Sequence, residues 1–362
     1  MRRATVYDVA ERAGVSIATV SCTYWQPSRV RESTRLKVLE VAKRLNYIPS
    51  ASARNLARGR VGALGLYSFD FCPVRSLEQG CEDGQEREGE TDICTYPLYA
   101  DEVERGFQQA CWQMGQAVLL GGSTGSNPTR SVVDMAGRVD GLALLSWLGD
   151  ISTLQRLATI MPVVMLAQNP GDLPVLYVSA DNYAGLGELI DHLVGVHGAK
   201  RIEYVGSMID PEMRERFHVI QERLTQLGRP VPLMPVDEGF AAKQPFQSVK
   251  AMQLARDLPD ALVCENDQTA LAVINFLRGL GTRVPDDVMV TGADGILAGQ
   301  FSDPTLTTVQ LPMQRIGNIA AHELARQEGK PWTKTKSVLV SEKLKIRQSC
   351  GCERPVIHVS DC

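Results

Sequence analysis

The first chemistry this sequence offers is the capture of polyanions. Residues 1–60 carry twelve Lys and Arg against four Asp and Glu, a net of +8, while the whole 362-residue chain stands at −4 and its remainder at −12. A basic module at one end of an otherwise acidic chain is the electrostatic footprint of a nucleic-acid binder, with an affinity that falls steeply with salt. Catalytic arrangements do not accompany it. The five histidines (192, 197, 218, 322, 358) include no HExxH pair and flank no serine elbow. "GALGLY" lacks the third glycine of a dinucleotide fingerprint, and "GGSTGS" lacks the lysine of a phosphate loop. The expectation is therefore a protein that is not an enzyme and needs no cofactor.

Nine cysteines (22, 72, 81, 94, 111, 264, 350, 352, 362) are an odd number without a framework, which in a reducing compartment points to free thiols. Cys72, Cys81 and Cys94 are nine and thirteen apart and match no zinc signature; only Cys350 and Cys352 are close, as "CGC". The expected metal content is none. No apolar run reaches the roughly 18 residues of a membrane span, and Arg2 and Arg3 lead into polar sequence rather than a secretory apolar stretch. A cytoplasmic protein is expected.

The elements that must present the basic residues are short helices. Val6, Val9 and Ala10 recur at helical spacing, "AGVS" supplies a glycine break, and Ser16 can cap a second helix through Ile17, Val20 and Ser21. Two short helices about a glycine turn make a helix-turn-helix, whose second helix would present Ile17, Ala18 and, one turn on, Cys22 to base edges in the major groove. A third helix is expected with Leu36, Leu39, Val41, Ala42 and Leu45 as its apolar side, ending at Tyr47 to Pro49. From Val61 onward, apolar runs such as "VGALGLYSF", "VDGLALLS", "RIEYVGS", "DALVCEND" and "VMVTGAD" alternate with helical stretches, as βαβ units with parallel sheets do. A chain of this length and 44% hydrophobic content supports two such subdomains, with a ligand between them at the carboxyl ends of the strands.

"YDVAERAGVSIATVS", "RLNYIP", "ARNLARGR" and the C-terminal "RQSCGC" together resemble the LacI/GalR family of bacterial transcription regulators. The resemblance covers nearly the whole chain. It implies an all-α helix-turn-helix headpiece (1–46), a hinge (47–60) and an α/β core (61–350) of two doubly wound parallel-sheet subdomains of the periplasmic-binding-protein type, with a tail at 351–362. Subdomain 1 would take about 61–178 and 311–340, and subdomain 2 about 179–310 and 341–350, with three crossings between them. Implied DNA contacts are Thr5, Tyr7, Ser16, Ile17, Ala18, Thr19, Ser21, Cys22, Arg29, Asn46 and Tyr47, joined by Ala53, Arg54 and Leu56 of the hinge. Leu56 holds the position of the family's minor-groove wedge. Implied effector contacts are Arg216 in "PEMRERF", Phe240 in "DEGF", Asn266 in "CENDQTAL" and Asp294 in "VTGAD". A guanidinium fork suits vicinal hydroxyls or a carboxylate, so a sugar or related polyol is the expected effector. Asp267 is expected to cap a helix or serve the hinge rather than touch ligand. The implied partners are an operator duplex and a second copy of the chain, and the implied function is repression controlled by the effector.

The chain also departs from the family. Cys22 stands where relatives usually have Arg, Trp25 where they have a small polar residue, and Arg31 where a Ser caps the third helix, with Ser33 as the expected substitute cap. Losing a bidentate donor at Cys22 removes discrimination of about 1–3 kcal/mol. Ala167 replaces an Asp, Leu311 a polar residue, and Val219 a Gly; each removes a donor or acceptor or adds bulk, so the expectation is a more apolar pocket or a smaller ligand. An insertion of roughly 23 residues at about 72–96 carries seven acidic residues against two arginines and is expected to be a solvated loop at the cleft mouth. The rival classes are a periplasmic-type binding protein without productive operator binding, and a doubly wound enzyme. The first should lack the basic headpiece, and the second should have a phosphate loop or nucleophile.

Overall fold

The computed structural model describes residues 4–49, 60–68, 98–122, 128–145, 149–169, 171–208, 211–237 and 246–353. Ala53, Arg54, Leu56, Phe240 and the 72–96 insertion lie outside them. The chain divides into two compact units, Met1–Gly62 and Ala63–Cys362.

The first unit is a three-helix cluster: α1 (Val6–Ala13), α2 (Ile17–Trp25) and α3 (Glu32–Arg44). Thr5 and Asp8 form a capping box at the start of α1, and Gly14 closes it in the left-handed conformation (φ 64°) that lets the chain turn at once into α2. Ser16 caps α2, its Oγ accepting from the Thr19 N–H at 3.1 Å. The three helices bury Val9, Ala10, Ala13, Val20, Val38 and Ala42 against one another. This corrects the expected face of α3, because Leu36 (56% exposed) and Leu39 (37%) point outward while Val38 is fully buried. The packed positions follow the spacing 38, 41, 42, 45, and a leucine off that stripe stays wet. Arg31 sits at the N-cap of α3 with no side-chain cap bond, and Ser33 lies inside the helix instead of replacing it.

The second unit holds two sheets. The first runs β10-β5-β4-β3-β1-β2, all parallel, from β1 (Ala63–Ser68), β2 (Ala117–Gly122), β3 (Leu142–Leu145), β4 (Val163–Leu166), β5 (Leu176–Ala180) and β10 (Lys336–Val340). The second runs β11-β9-β8-β7-β6, from β6 (Ile202–Val205), β7 (Ala261–Cys264), β8 (Met289–Asp294), β9 (Thr307–Gln310) and an antiparallel edge, β11 (Lys343–Lys345). Alternate residues of each strand feed different cores. In β3, Leu142 and Leu144 join one cluster while Ala143 and Leu145 join another, and β7 does the same with Leu262 and Cys264 against Ala261 and Val263. Strands buried on both faces read as unbroken apolar runs, which is how these appear in the sequence.

The chain passes between the sheets three times: after Ala180, between Gln310 and Met313, and at residues 341–342. The second passage delivers α12 (Met313–Gln327) back to the first sheet, against α4 (Leu98–Gln113). These two helices touch backbone to backbone. A Cβ at Gly106 would stand 1.9 Å from the Gln314 carbonyl oxygen, and one at Gly317 the same distance from that of Val103. Among the described residues, no helix is long and apolar enough to cross a membrane.

Candidate functional site

In the headpiece the exposed side of α2 carries Ile17, Ala18, Ser21 and Trp25, while Val20 and Thr23 face inward. Cys22 is half-buried at the edge of that side. Tyr7 and Arg29 are exposed, and the Arg29 guanidinium donates to Gln26 Oε1 at 2.9 Å. Thr5, Ser16 and Thr19 are already engaged in capping. Asn46 is exposed with φ 51°, and Tyr47 packs edge-on to Tyr24 at 6.2 Å, closing the end of α3. Among the described residues of this unit, most of the basic side chains, including Arg12, Arg31, Lys37 and Lys43, are exposed.

In the core, the carboxyl end of β8 meets α8 (Pro211–Gln226). Arg216, two turns into α8, is 1% exposed. Its Nη2 donates to Glu212 Oε1 at 2.8 Å, and Nη1 reaches the Glu265 carbonyl oxygen at 2.5 Å and Asp294 Oδ1 at 3.5 Å. Burial alone would weaken the charge on Arg216, but Glu212 and then Asp294 hold it firmly protonated. Burial drives the Asp294 carboxyl well up, with Arg216 only partly opposing. Glu342, on the third passage between the sheets, is pushed up to about 7 by burial, again against Arg216. Tyr99, in the first turn of α4, is raised well above the phenol range by burial and then by Glu212, and Tyr177 on β5 is pushed up to about 12 by burial. Both sheets thus contribute to one electrostatic cluster of Arg216, Glu212, Asp294, Glu342, Tyr99 and Tyr177.

Two features mark this cluster as more than packing. Asp294 (φ 120°) and Ala167 (φ 61°) hold backbone conformations that side chains rarely adopt, each at or just past a strand's carboxyl end, where strain concentrates at functional sites. In addition, Arg216 Nε and both carboxylate oxygens of Glu342 are buried without a hydrogen-bond partner. Buried polar atoms are otherwise nearly always satisfied.

Asn266, expected at the effector, and Asp267, expected to cap a helix or serve the hinge, stand side by side just past the carboxyl end of β7. Asn266 caps α10 (Asp267–Gly279), accepting from the Thr269 N–H at 2.8 Å. Asp267 is no cap. Its Oδ2 accepts from the Gly295 and Ile296 N–H groups at 2.8 Å each and its Oδ1 from Thr308 Oγ1 at 2.5 Å, tying α10 to the turn after β8 and to β9. Burial lifts this carboxyl to about 7 despite those bonds. Next to the same turn, a cavity of 570 Å³ opens between the sheets, lined among others by Leu98, Ile296, Leu297, Gln310 and Pro312. Ala167 and Leu311 are buried at strand ends, whereas Val219 packs into the core beside α7 (Asn182–Gly195), so its bulk fills a helix interface and not the cleft. Glu212 was missed in the sequence although it stands one turn before Arg216. Glu342 carried no local signal at all.

The comparisons fit this architecture. The description "Bacterial regulatory proteins, lacI family" matches residues 5–50, and "Periplasmic binding protein-like domain" matches residues 190–350. The chain is 29% identical over 327 residues to the HTH-type transcriptional repressor CytR of Escherichia coli (strain K12), covering 88% of this chain and 87% of that one. It is 26% identical to the HTH-type transcriptional repressor PurR of Histophilus somni, covering 96% and 98%. Among solved structures, the lac repressor dimer bound to operator and the anti-inducer ONPF is similar with a TM-score of 0.75 at 24% identity, covering 96% of this chain and 99% of that one. The transcriptional regulator CelR in complex with cellobiose gives a TM-score of 0.64 at 24% identity, covering 96% and 100%. With a capped helix-turn-helix on a cationic unit and a two-sheet core, the chain carries a LacI-family DNA-binding domain followed by a periplasmic-binding-protein-like domain, and its relatives along nearly its whole length are LacI/GalR-type transcriptional repressors.

Proposed function

We propose that this protein is a cytoplasmic homodimeric repressor whose operator affinity is set by a neutral, hydroxyl-rich effector held between the two sheets of the core. The observation that carries the effector class is the state of Arg216. Both of its terminal nitrogens are already engaged by Glu212, Asp294 and the Glu265 carbonyl, so its charge is balanced by buried partners of its own chain. What remains without any partner is Arg216 Nε and the two oxygens of Glu342, beside the second N–H of Nη2. An anion here would face Glu212 with the Arg216 charge already balanced, whereas a polyol hydroxyl can donate to Glu342 and accept from Arg216 Nε. The CelR relative binds cellobiose, which is of this chemical class.

Two headpieces of a dimer would read adjacent half-sites of a near-palindrome, with Ile17, Ala18, Ser21 and Cys22 at base edges and the exposed basic residues on phosphates. Closing of the two lobes on effector would alter the headpiece spacing and release DNA. The test has two arms. Selection from random duplexes should recover a near-palindrome that full-length protein retards and a variant lacking residues 1–60 does not; retention of duplex binding by that variant would overturn the DNA assignment. Thermal-shift titration against neutral sugars, sugar acids and nucleosides should give a stabilising hit among the neutral sugars that Glu342→Gln weakens. A response to sugar acids or nucleosides alone would overturn the effector class.

A further inference from the structure

We propose that His192, His197, Cys350 and Cys352 form a tetrahedral zinc site that staples the C-terminal segment of the core to α7. The four ligand atoms all lie within 4.8 Å of one another. His192 Nε2 is 3.1 Å from His197 Nε2 and 3.5 Å from Cys350 Sγ, and Cys352 Sγ is 3.6 Å from His192 Nε2 and 3.4 Å from His197 Nε2. Tetrahedral zinc with bonds of about 2.3 Å to sulfur and about 2.05 Å to nitrogen requires edges of about 3.4 Å between nitrogens and about 3.6 Å between nitrogen and sulfur. The four edges that join His192 to His197, His192 to Cys350, and both histidines to Cys352 match that figure to within a few tenths of an ångström, and the remaining two stay within 4.8 Å. Two thiolates and two imidazoles converging on one point are a donor set that selects zinc among the common divalent ions.

The backbone holds these donors in place without the metal. His192 lies in the last turn of α7, where its carbonyl accepts the N–H of Val196, and His197 follows in the turn closed by Gly198 (φ 67°). On the other side, Ser349 is locked to the second sheet: its Oγ accepts from Thr307 N at 2.9 Å and donates to the Val290 carbonyl at 2.5 Å. Cys350 ends a single turn of 3-10 helix (Gln348–Cys350), and Gly351, at φ 95°, reverses the chain so that Cys352 returns to the same point. A residue with a Cβ at 351 would be strained by that backbone angle, although it would meet the His197 ring only at an ordinary contact distance of 3.5 Å.

The cluster is remote from the effector cluster. It borders a small cavity lined by Asp260, Pro285 and Val288, which precede β7 and β8, whereas Arg216 and Asp294 gather at the carboxyl ends of the strands. A metal here is therefore structural and closed, not part of effector binding. Bound to the folded chain alone, it raises stability by mass action. The set does not read as a zinc signature in the sequence, because the His pair, although at a usual zinc spacing, is far from the Cys pair, with 155 residues from His197 to Cys352.

The experiment uses tag-free, full-length protein purified in reductant. Elemental analysis should find one zinc per chain, and cobalt exchanged into the site should give the visible bands of a tetrahedral ion with a thiolate charge-transfer band. His197→Ala and Cys352→Ser should each reduce zinc to background and remove those bands while far-ultraviolet circular dichroism still reports a folded chain, and Cys22→Ser should leave both intact. Failure of the reduced protein to take up zinc or cobalt, or uptake that persists in the His197→Ala/Cys352→Ser double variant, would overturn the proposal.

Discussion

Replacing Arg216 by Met should destabilise the core by an amount that depends on pH. In the native chain Glu212 and Arg216 pair at 2.8 Å with both side chains almost completely buried. Met keeps the volume but leaves the Glu212 carboxylate in a dry site, and breaking a buried pair this way costs about 3–5 kcal/mol. Glu212 can escape by taking a proton, at about 1.36 kcal/mol for each pH unit above its ordinary value near 4.3. That route costs about 5 kcal/mol at pH 8 but only about 1.6 kcal/mol at pH 5.5, so it caps the loss at low pH. The Glu265 carbonyl also loses its donor, which adds about 1 kcal/mol at either pH. The difference between wild type and variant in urea denaturation should therefore be about 4–6 kcal/mol at pH 8 and about 2–3 kcal/mol at pH 5.5. Adding Glu212→Gln to the variant should reduce the pH dependence of that difference, and the remainder belongs to Glu342 and Asp294, which Arg216 also holds down. A loss of equal size at both pH values would refute the reasoning, since it would mean that no carboxylate is stranded.

The helix pair α4 and α12 offers a steric test: Gly317→Ala forces a methyl against the Val103 carbonyl, which backbone cannot yield, so thermal denaturation should show a loss of about 1–3 kcal/mol or more. A loss below about 0.5 kcal/mol would mean that the helices stand further apart than described. Asp267 predicts a pH slope in the wild type. Its folded value of about 7 exceeds the ordinary value of 3.8, so its contribution to stability is complete below about 4 and is lost as pH rises through about 7. Denaturant midpoints measured across that window should fall with pH, and Asp267→Asn should flatten part of the slope, with Glu342→Gln removing more.

How much the sequence revealed depended on how far apart the partners are. The helix-turn-helix was legible because Gly14, Ser16 and the apolar spacing that define it lie within one short stretch. Even there, counting leucines chose Leu36 and Leu39 for the core, while packing against α1 and α2 selected Val38. The sheets were legible as apolar runs, since strands covered on both faces leave little room for polar residues. Arg216 and Asp294, 78 residues apart, came together on the page only through family resemblance. Glu342 and the His pair had no such guide, and the Cys pair, although inside the family-like "RQSCGC", carried nothing that pointed to the histidines. Their meeting depends on the last passage of the chain between the sheets, which no local pattern records.

That passage also sets an order of events during synthesis. The first sheet cannot acquire its edge strand β10, nor α4 its glycine-matched companion, until the ribosome has made the whole of the second sheet's parallel framework. That framework in turn waits for β11 and Ser349 at the far end. The headpiece, complete within the first fifty residues, is free to fold long before either lobe, so a nascent or C-terminally truncated chain would carry a finished DNA-reading unit with no working means of being told to let go.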